Sequence, residues 1–243
     1  MILKTGQLKR KDSNKLILEP YQIKLIGESE LTEVQSLQQF VYNKLPNKDV
    51  LSTDSYEVMM QDLEAGGMIL GVYNSKNELI AYRFVTFPKN QESNLGKDLH
   101  LSPQSLQRVA HLETTLVHPD YRGNKLQSDT LGIALPIIAQ KGYQHVMCTV
   151  SPVNPFSLYN VMSHGLKIKA LKRKYGTPEG NPGLWRFILH KDLDVAPNFK
   201  IDNCFNINLN ALEVQSELIN EGFVGTSLNR ETSSLQYVKF ATV

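Results

Sequence analysis

The 243-residue chain has few of the features that mark secreted or membrane proteins. Its only two cysteines, Cys148 and Cys204, lie far apart and form neither a Cys-x-x-Cys motif nor a disulfide framework. No apolar run reaches membrane-spanning length, and the N-terminus lacks the apolar segment of a secretory signal. We therefore expect a cytoplasmic protein that has no membrane partner.

Several catalytic signatures are also missing. The six histidines show no metal-ligand spacing such as His-x-x-x-His, so we expect no metal site. The chain has no Gly-x-Ser-x-Gly elbow and no complete Gly-x-Gly-x-x-Gly fingerprint, which removes the basis for a hydrolase or a dinucleotide-dependent oxidoreductase. The formal net charge is only +2, which gives no overall attraction to nucleic acid. A small-molecule partner is expected instead.

The length allows either one large domain or a core domain with a small addition, and we expect the second arrangement. The composition shifts over residues 192–198, which read Asp-Leu-Asp-Val-Ala-Pro-Asn and predict a linker. We predict a main domain over residues 1–191. The remaining residues, 192–243, are too few for an independent core, so we expect an extension that packs on this domain or mediates self-association, for example in a homodimer.

The pattern of elements predicts an α/β fold. Two helices and a strand hairpin come first, and strands then alternate with helices before an antiparallel pair. A polar stretch over residues 88–107 is expected to run over the surface. The predicted strands are 21–26, 68–73, 79–87, 108–117, 144–150, 168–175, 184–189, 205–209, 222–227 and 236–240, and the predicted helices include 56–64, 124–141, 155–163 and 211–219.

A Val-x-Pro-x-x-Arg-Gly run, from Val117 to Gly123, joins a predicted strand to a predicted helix. Pro119 ends the strand because it cannot donate to a ladder. The first N–H groups of the following helix have no intrahelical partner and lie at the positive end of its dipole, which suits a pyrophosphate. Arg122 adds a cation. The residues alone leave two interpretations open, a phosphate-binding loop or an ordinary turn that opens a helix.

A second motif follows at Asn154-Pro-Phe-Ser-Leu-Tyr159, and His164-Gly165-Leu166 comes after the next short helix. Together the two motifs resemble the Arg-Gly loop and the asparagine, tyrosine and Gly-Phe elements of GNAT-type N-acetyltransferases, at the spacing of that family. The resemblance covers about residues 20–190. It implies a mixed, splayed central sheet flanked by helices, with acetyl-CoA as the acyl donor.

The resemblance also implies how the cofactor arm is held. In the family, the acyl-thioester arm lies in the gap between two strands, which here are 111–117 and 144–150. The backbone N–H of Val117 would then polarise the thioester carbonyl as an oxyanion donor. Tyr159 would protonate the departing thiolate. The alternative for Tyr159 is a half-buried aromatic residue whose hydroxyl has a structural partner.

Glu113 is the candidate general base, with His111 as a weaker rival. Strict alternation along the strand would place Glu113 on the same face as His111, Thr115 and Val117. A carboxylate near an apolar cleft is expected to have a raised pKa, which suits a base.

The implied cofactor contacts include two residues that depart from the family pattern. The family loop usually runs Arg-x-x-Gly-x-Gly or Ala, whereas Lys125 and Gln127 occupy the two small-residue positions here. Lys125 could instead contribute charge to a phosphate. Asn154 and Ser157 suit either the cofactor arm or the cap of the helix that starts there. The predicted cofactor-binding residues are Leu116, Val117, Arg122, Gly123, Asn124, Lys125, Leu126, Gln127, Asn154, Ser157 and Tyr159.

We therefore expect an N-acetyltransferase that moves an acetyl group from acetyl-CoA to a primary amine by direct attack in a ternary complex. The alternative, motivated by the two departures in the loop, is a non-catalytic acyl-CoA-binding regulatory protein. An acyl group longer than acetyl also stays open. The acceptor is a small amine, an amino acid or a protein amine.

Overall fold

The computed structural model describes residues 1–12, 15–177, 180–194 and 200–241. The described chain divides into two compact units, one formed by Met1–Phe87 with His111–Lys141 and the other by Pro88–Ala110 with Gly142–Val243. Most of the predicted linker, residues 195–198, lies outside the described residues. The predicted domain boundary at residue 191 stays a prediction.

The elements follow in chain order, apart from short 3₁₀ turns. They are β1 (Ile2–Asp12), β2 (Lys15–Ile26), α1 (Leu31–Lys44), α2 (Tyr56–Glu64), β3 (Met68–Tyr73), β4 (Leu79–Thr86), α3 (Pro103–Leu106), β5 (Val109–Val117), α4 (Leu126–Gln140), β6 (His145–Val150), α5 (Pro155–Met162), β7 (Lys167–Lys174), β8 (Leu184–Asp192), β9 (Ile201–Asn208), α6 (Leu212–Asn220), β10 (Val224–Asn229) and β11 (Ser234–Phe240).

The first unit is a sheet in the order β1-β2-β3-β4-β5, and each neighbouring pair is antiparallel. Apolar residues of α1 at helical spacing, such as Leu31, Val34 and Val41, pack with Tyr82 and Phe84 on one sheet face. Helix α4 contacts β4 on the other face. The predicted α/β class, with a sheet flanked by helices, is confirmed.

The first hairpin was only half predicted. Strand β2 begins at Lys15 rather than near Tyr21, and β1 pairs with it along almost its whole length. Leu16 and Leu18 are 63% and 67% exposed. Alternating burial is the main sequence signal for a strand, and it is weak where apolar side chains face solvent.

The second unit is a sheet in the order β6-β8-β7-β10-β11-β9, again with antiparallel neighbours. The segment after residue 200 extends this sheet, because Gly225 of β10 pairs with Ile168 of β7. A Cβ atom at Gly225 would lie 2.9 Å from the Ile168 side chain, so this approach requires glycine. Gln215 of α6 is fully buried and accepts a 3.0 Å hydrogen bond from the Tyr237 hydroxyl.

The stretch over residues 88–107 is not only a surface excursion, so that prediction is wrong in part. Leu95 is 6% exposed and belongs to a core cluster with Val109, Met147 and Ile188. Asn94 is also buried, and its side chain donates to two backbone carbonyls. The polar residues around Leu95 in the sequence give no sign that it is buried.

Among the described residues, no helix is both long enough and apolar enough to cross a bilayer.

Candidate functional site

The loop between β5 and α4 is anchored at both ends by buried side chains. The Tyr121 hydroxyl accepts a 2.9 Å hydrogen bond from the Asn74 amide, and Leu126 begins α4 as a buried residue. Arg122, Gly123 and Lys125 between these anchors are exposed. An anion can therefore contact the exposed cations without any change in the core.

Asn124 ties this loop to the first strand. Its Oδ1 accepts the Lys9 backbone N–H at 2.7 Å, and its Nδ2 donates to the Lys9 carbonyl at 2.7 Å and to the Tyr121 carbonyl at 2.9 Å. The carboxamide thus pairs with strand backbone as another strand would. No sequence pattern predicts this contact, because the two residues are 115 positions apart.

Lys125 adopts the left-handed backbone conformation that glycine favours, with φ +58° and ψ 19°. Gly123, two residues earlier, also has a positive φ of +88°. A left-handed conformation costs a residue other than glycine about 1–2 kcal/mol. The loop therefore keeps glycine-like geometry at the position where the family pattern has glycine, although a lysine occupies it.

Lys125 is the N-cap residue of α4, and its side chain makes no capping hydrogen bond. The first intrahelical hydrogen bond of this turn runs from Asp129 N–H to the Lys125 carbonyl at 2.9 Å. The N–H groups before Asp129 open the helix at the positive end of its dipole. The Asp129 carboxylate is paired with Lys4 at 2.9 Å and accepts from the Tyr21 hydroxyl at 3.1 Å. Strand β1 therefore compensates the negative charge in this turn.

Strand β5 contains a bulge that breaks its alternation. Leu112 pairs with Val85, and Thr115 pairs with Arg83, so two residues of β5 lie opposite Phe84. Thr115 therefore lies on the face of Arg83, which donates to Thr130 of α4. Val117, two residues further along, shares that face. The prediction that Glu113 shares a face with Thr115 and Val117 is wrong, because alternation assumes a strand without an extra residue.

Glu113 lies in a polar network on the face that carries α1 and α2. Its Oε1 is 3.1 Å from Nδ1 of His111 and accepts a 3.0 Å hydrogen bond from the Thr86 hydroxyl. Although 34% of the Glu113 side chain is exposed, the packing around its carboxylate acts to raise its pKa. The hydrogen bond and charge of His111 and the Thr86 hydrogen bond outweigh this effect and hold the pKa below its ordinary value. The expected raised pKa of Glu113 is therefore wrong.

A second carboxylate in this unit has the raised pKa instead. The Thr114 hydroxyl donates to Asp54 Oδ2 at 3.3 Å. Burial, together with the nearby charge of Glu113, raises the pKa of Asp54 to about 6. Burial and Glu113 also raise the pKa of Asp62. Ser55, the next residue after Asp54, is the N-cap of α2.

The end of β5 presents backbone rather than side chains. The His118 N–H donates to the Ile80 carbonyl at 2.8 Å, toward β4. Successive N–H groups point to opposite edges of a strand, so the Val117 N–H points away from β4. Leu116 is 7% exposed and packs in the core with α1 and α2. Only its backbone is suited to contact a cofactor.

The second predicted motif lies in the other unit, at the start of α5. The Asn154 side chain accepts the Ser157 N–H at 3.1 Å. Asn154 therefore caps α5, which is one of the two roles that the sequence allowed for it. Tyr159 is 41% exposed. The guanidinium of Arg230 lies 5.1 Å from the centre of the Tyr159 ring. No sequence pattern predicts this contact with the C-terminal segment.

Several solved structures with a similar fold are named as acetyltransferases. An acetyltransferase of the GNAT family from Streptococcus pneumoniae matches with a TM-score of 0.53 and 15% identity, over 71% of this chain and 99% of its own. The chain has the fold of the GNAT-family acetyltransferases.

Two further GNAT-fold matches are described with the acyl donor. A putative acetyltransferase from Salmonella typhimurium with its cofactor acetyl-CoA has a TM-score of 0.53 and 13% identity, over 73% of this chain and 96% of its own. A GNAT superfamily phosphinothricin acetyltransferase from Sinorhizobium meliloti in complex with acetyl-CoA has a TM-score of 0.54 and 12% identity, over 74% of this chain and 92% of its own. Neither a protein-family model nor a curated protein sequence matches the chain.

The three matches leave about a quarter of this chain uncovered while spanning nearly all of each GNAT-fold partner. This chain therefore carries structure in addition to the shared fold. Within the described ranges, no group of three or more His, Cys, Asp or Glu residues is arranged to hold a metal ion.

Proposed function

We propose that this protein is an N-acetyltransferase that transfers an acetyl group from acetyl-CoA to a primary amine by direct attack in a ternary complex. The observation that carries the proposal is the anchored Arg-Gly loop at the start of α4, in a chain with the GNAT fold. Two solved structures with this fold are described with acetyl-CoA, which supports it as the acyl donor.

The donor set of the loop fits a pyrophosphate. Arg122 and Lys125 supply exposed cations, Gly123 leaves room for close approach, and the first turn of α4 supplies N–H groups. Asn124 contributes by holding the loop in place. We assign the pyrophosphate to Arg122, Gly123, Asn124, Lys125, Leu126 and Gln127, and the pantetheine arm to Leu116, Val117, Asn154, Ser157 and Tyr159.

In the proposed reaction, the amine nitrogen attacks the thioester carbonyl carbon and the carbon–sulfur bond breaks. The backbone N–H of Val117 stabilises the negative charge that develops on the carbonyl oxygen. Tyr159 gives its proton to the departing sulfur. These two roles supply an oxyanion donor and an acid, and the third need of acyl transfer is a base.

The amine must lose a proton to attack, and the first unit supplies carboxylates for this step. Glu113 is our first candidate base, with its carboxylate ordered by His111 and Thr86. Its lowered pKa makes it a weak base. Asp54, with a pKa of about 6, is closer to the value that general-base catalysis favours near neutral pH. Replacement of each by its amide separates the two, since only loss of the base lowers turnover without weakening donor binding.

The non-catalytic alternative rests on the side chains of Lys125 and Gln127 in the loop. The left-handed backbone of Lys125 favours the enzyme, because the loop shape that the family builds with glycine is kept.

Calorimetric titration with acetyl-CoA and with CoA tests the proposal first. We expect micromolar binding of both, followed by thiol release when amines are added. The acceptors to compare are small amines, amino acids and a lysine-containing peptide. The absence of acetyl-CoA binding would overturn the assignment of the loop. Binding without thiol release from any acceptor class would support the regulatory alternative.

A further inference from the structure

The C-terminal segment reaches α5 through the hairpin that joins β10 to β11. Asn229 pairs with Ser234 in the strand register, so four residues make the connection. The Asn229 side chain accepts the N–H groups of Glu231 at 2.9 Å and Thr232 at 3.1 Å. Ser233 closes the turn with a positive φ of 50°, and its carbonyl accepts the Leu209 N–H at 2.9 Å. The connection is therefore held in one shape.

Arg230 is the first residue of this connection and the only arginine after residue 192. Its guanidinium carbon lies 5.1 Å from the ring centre of Phe156 and 5.1 Å from that of Tyr159. The two aromatic residues are three positions apart on α5, so their rings lie on one face of the helix. One cation thus contacts two neighbouring rings.

Both rings are partly exposed to solvent. Phe156 is 66% exposed and Tyr159 is 41% exposed. Exposed side chains change rotamer readily, whereas proton donation requires the phenol in one place. A guanidinium over an aromatic face is attractive and leaves the phenol oxygen at the ring edge available.

We propose that Arg230 is a positioning residue that holds Tyr159 in the rotamer from which it protonates the departing thiolate. This inference rests on the proposed acetyltransferase function and gives the C-terminal segment a part in it. An exposed cation–π contact changes the ratio of the held rotamer to the others by about 2- to 5-fold. Turnover should fall by no more than this factor when the contact is lost.

The test is a double-mutant cycle on the full chain. We expect Arg230→Ala to lower kcat measurably, by up to about 5-fold, with an unchanged Kd for acetyl-CoA. In a Tyr159→Phe background the same change should have no effect, because the hydroxyl that Arg230 positions is no longer present. Arg230→Lys keeps the positive charge but lacks the planar guanidinium. Its kcat should lie between that of the wild-type protein and that of Arg230→Ala.

Lys239→Ala is the matched control, because Lys239 lies over the ring of Phe223 at 5.4 Å in the same segment. It should leave kcat unchanged. A readout that does not depend on turnover is the nuclear Overhauser contact between the Arg230 side chain and the Tyr159 ring in the free protein. We expect that contact in the wild-type protein.

The outcomes separate the two claims. Equal loss of kcat from Arg230→Ala in both backgrounds, or no Overhauser contact with Tyr159, would overturn the role of Arg230 alone. A wild-type protein that neither binds acetyl-CoA nor releases thiol would overturn the proposed function and the positioning role with it.

Discussion

Replacement of Lys125 by glycine should make the protein more stable and its acetyl-CoA binding weaker. The left-handed backbone at Lys125 costs about 1–2 kcal/mol, and the greater freedom of glycine in the unfolded chain offsets about 0.5–1 kcal/mol of the gain. The expected net increase in the free energy of unfolding is about 0.5–1 kcal/mol, or a rise in Tm of about 1–4 °C. Loss of a charge-assisted hydrogen bond to phosphate should raise the Kd for acetyl-CoA roughly tenfold.

Thermal unfolding and calorimetric titration measure the two effects separately. Lys89 provides the matched control, since it is a second exposed lysine with a positive φ, +46°, in the other unit. Lys89→Gly should raise Tm by a similar amount and leave the Kd unchanged. A lower Tm for Lys125→Gly would refute the argument from backbone strain. An unchanged Kd would show that the lysine charge does not act on a phosphate.

Three further changes test other parts of the site. Tyr159→Phe should lower turnover by about one to three orders of magnitude with little change in acetyl-CoA affinity, and equal turnover would remove Tyr159 from the mechanism. Arg122→Ala should weaken the binding of CoA but not that of a pantetheine fragment without phosphate, and equal weakening in calorimetry would contradict the loop assignment. The pKa of Asp54 is raised to about 6, so its protonated form stabilises the folded protein fully below about pH 4. This contribution to the free energy of unfolding, up to about 3 kcal/mol, is lost as the pH rises to about 6. Urea unfolding at several pH values should show this loss in the wild-type protein and not in Asp54→Asn, and identical curves would disprove it.

The parts of the fold that the sequence predicted well are those whose burial repeats locally. Strands β3 and β4 have regular apolar patterns, and each was predicted close to its observed bounds. The hairpin of β1 and β2 was half missed because much of it faces solvent on both sides. Leu95 was placed on the surface because polar residues surround it in sequence, whereas its packing partners are distant.

The site shows the same division between local and distant information. The position of the turn between β5 and α4 followed from the Arg-Gly run and the helix after it, and its phosphate-binding role stays a prediction. The faces of β5 could not be predicted, since one extra residue at Glu113 and Thr114 reverses every side chain beyond it. The partner of Asp54 is 60 residues away in sequence, and no periodic pattern reports such a contact.

Two hydrogen bonds between the Asn124 side chain and the Lys9 backbone make the order of the loop depend on the docking of the first strand. Any ligand that binds the loop only in its ordered form must then also favour the docked strand, because a coupling free energy links the ordering of the loop to the docking of β1. Part of the affinity for such a ligand is therefore set by residues that never touch it. The Lys9 amide becomes a natural reporter of this coupling, because its exchange with solvent requires the Asn124 contact to open.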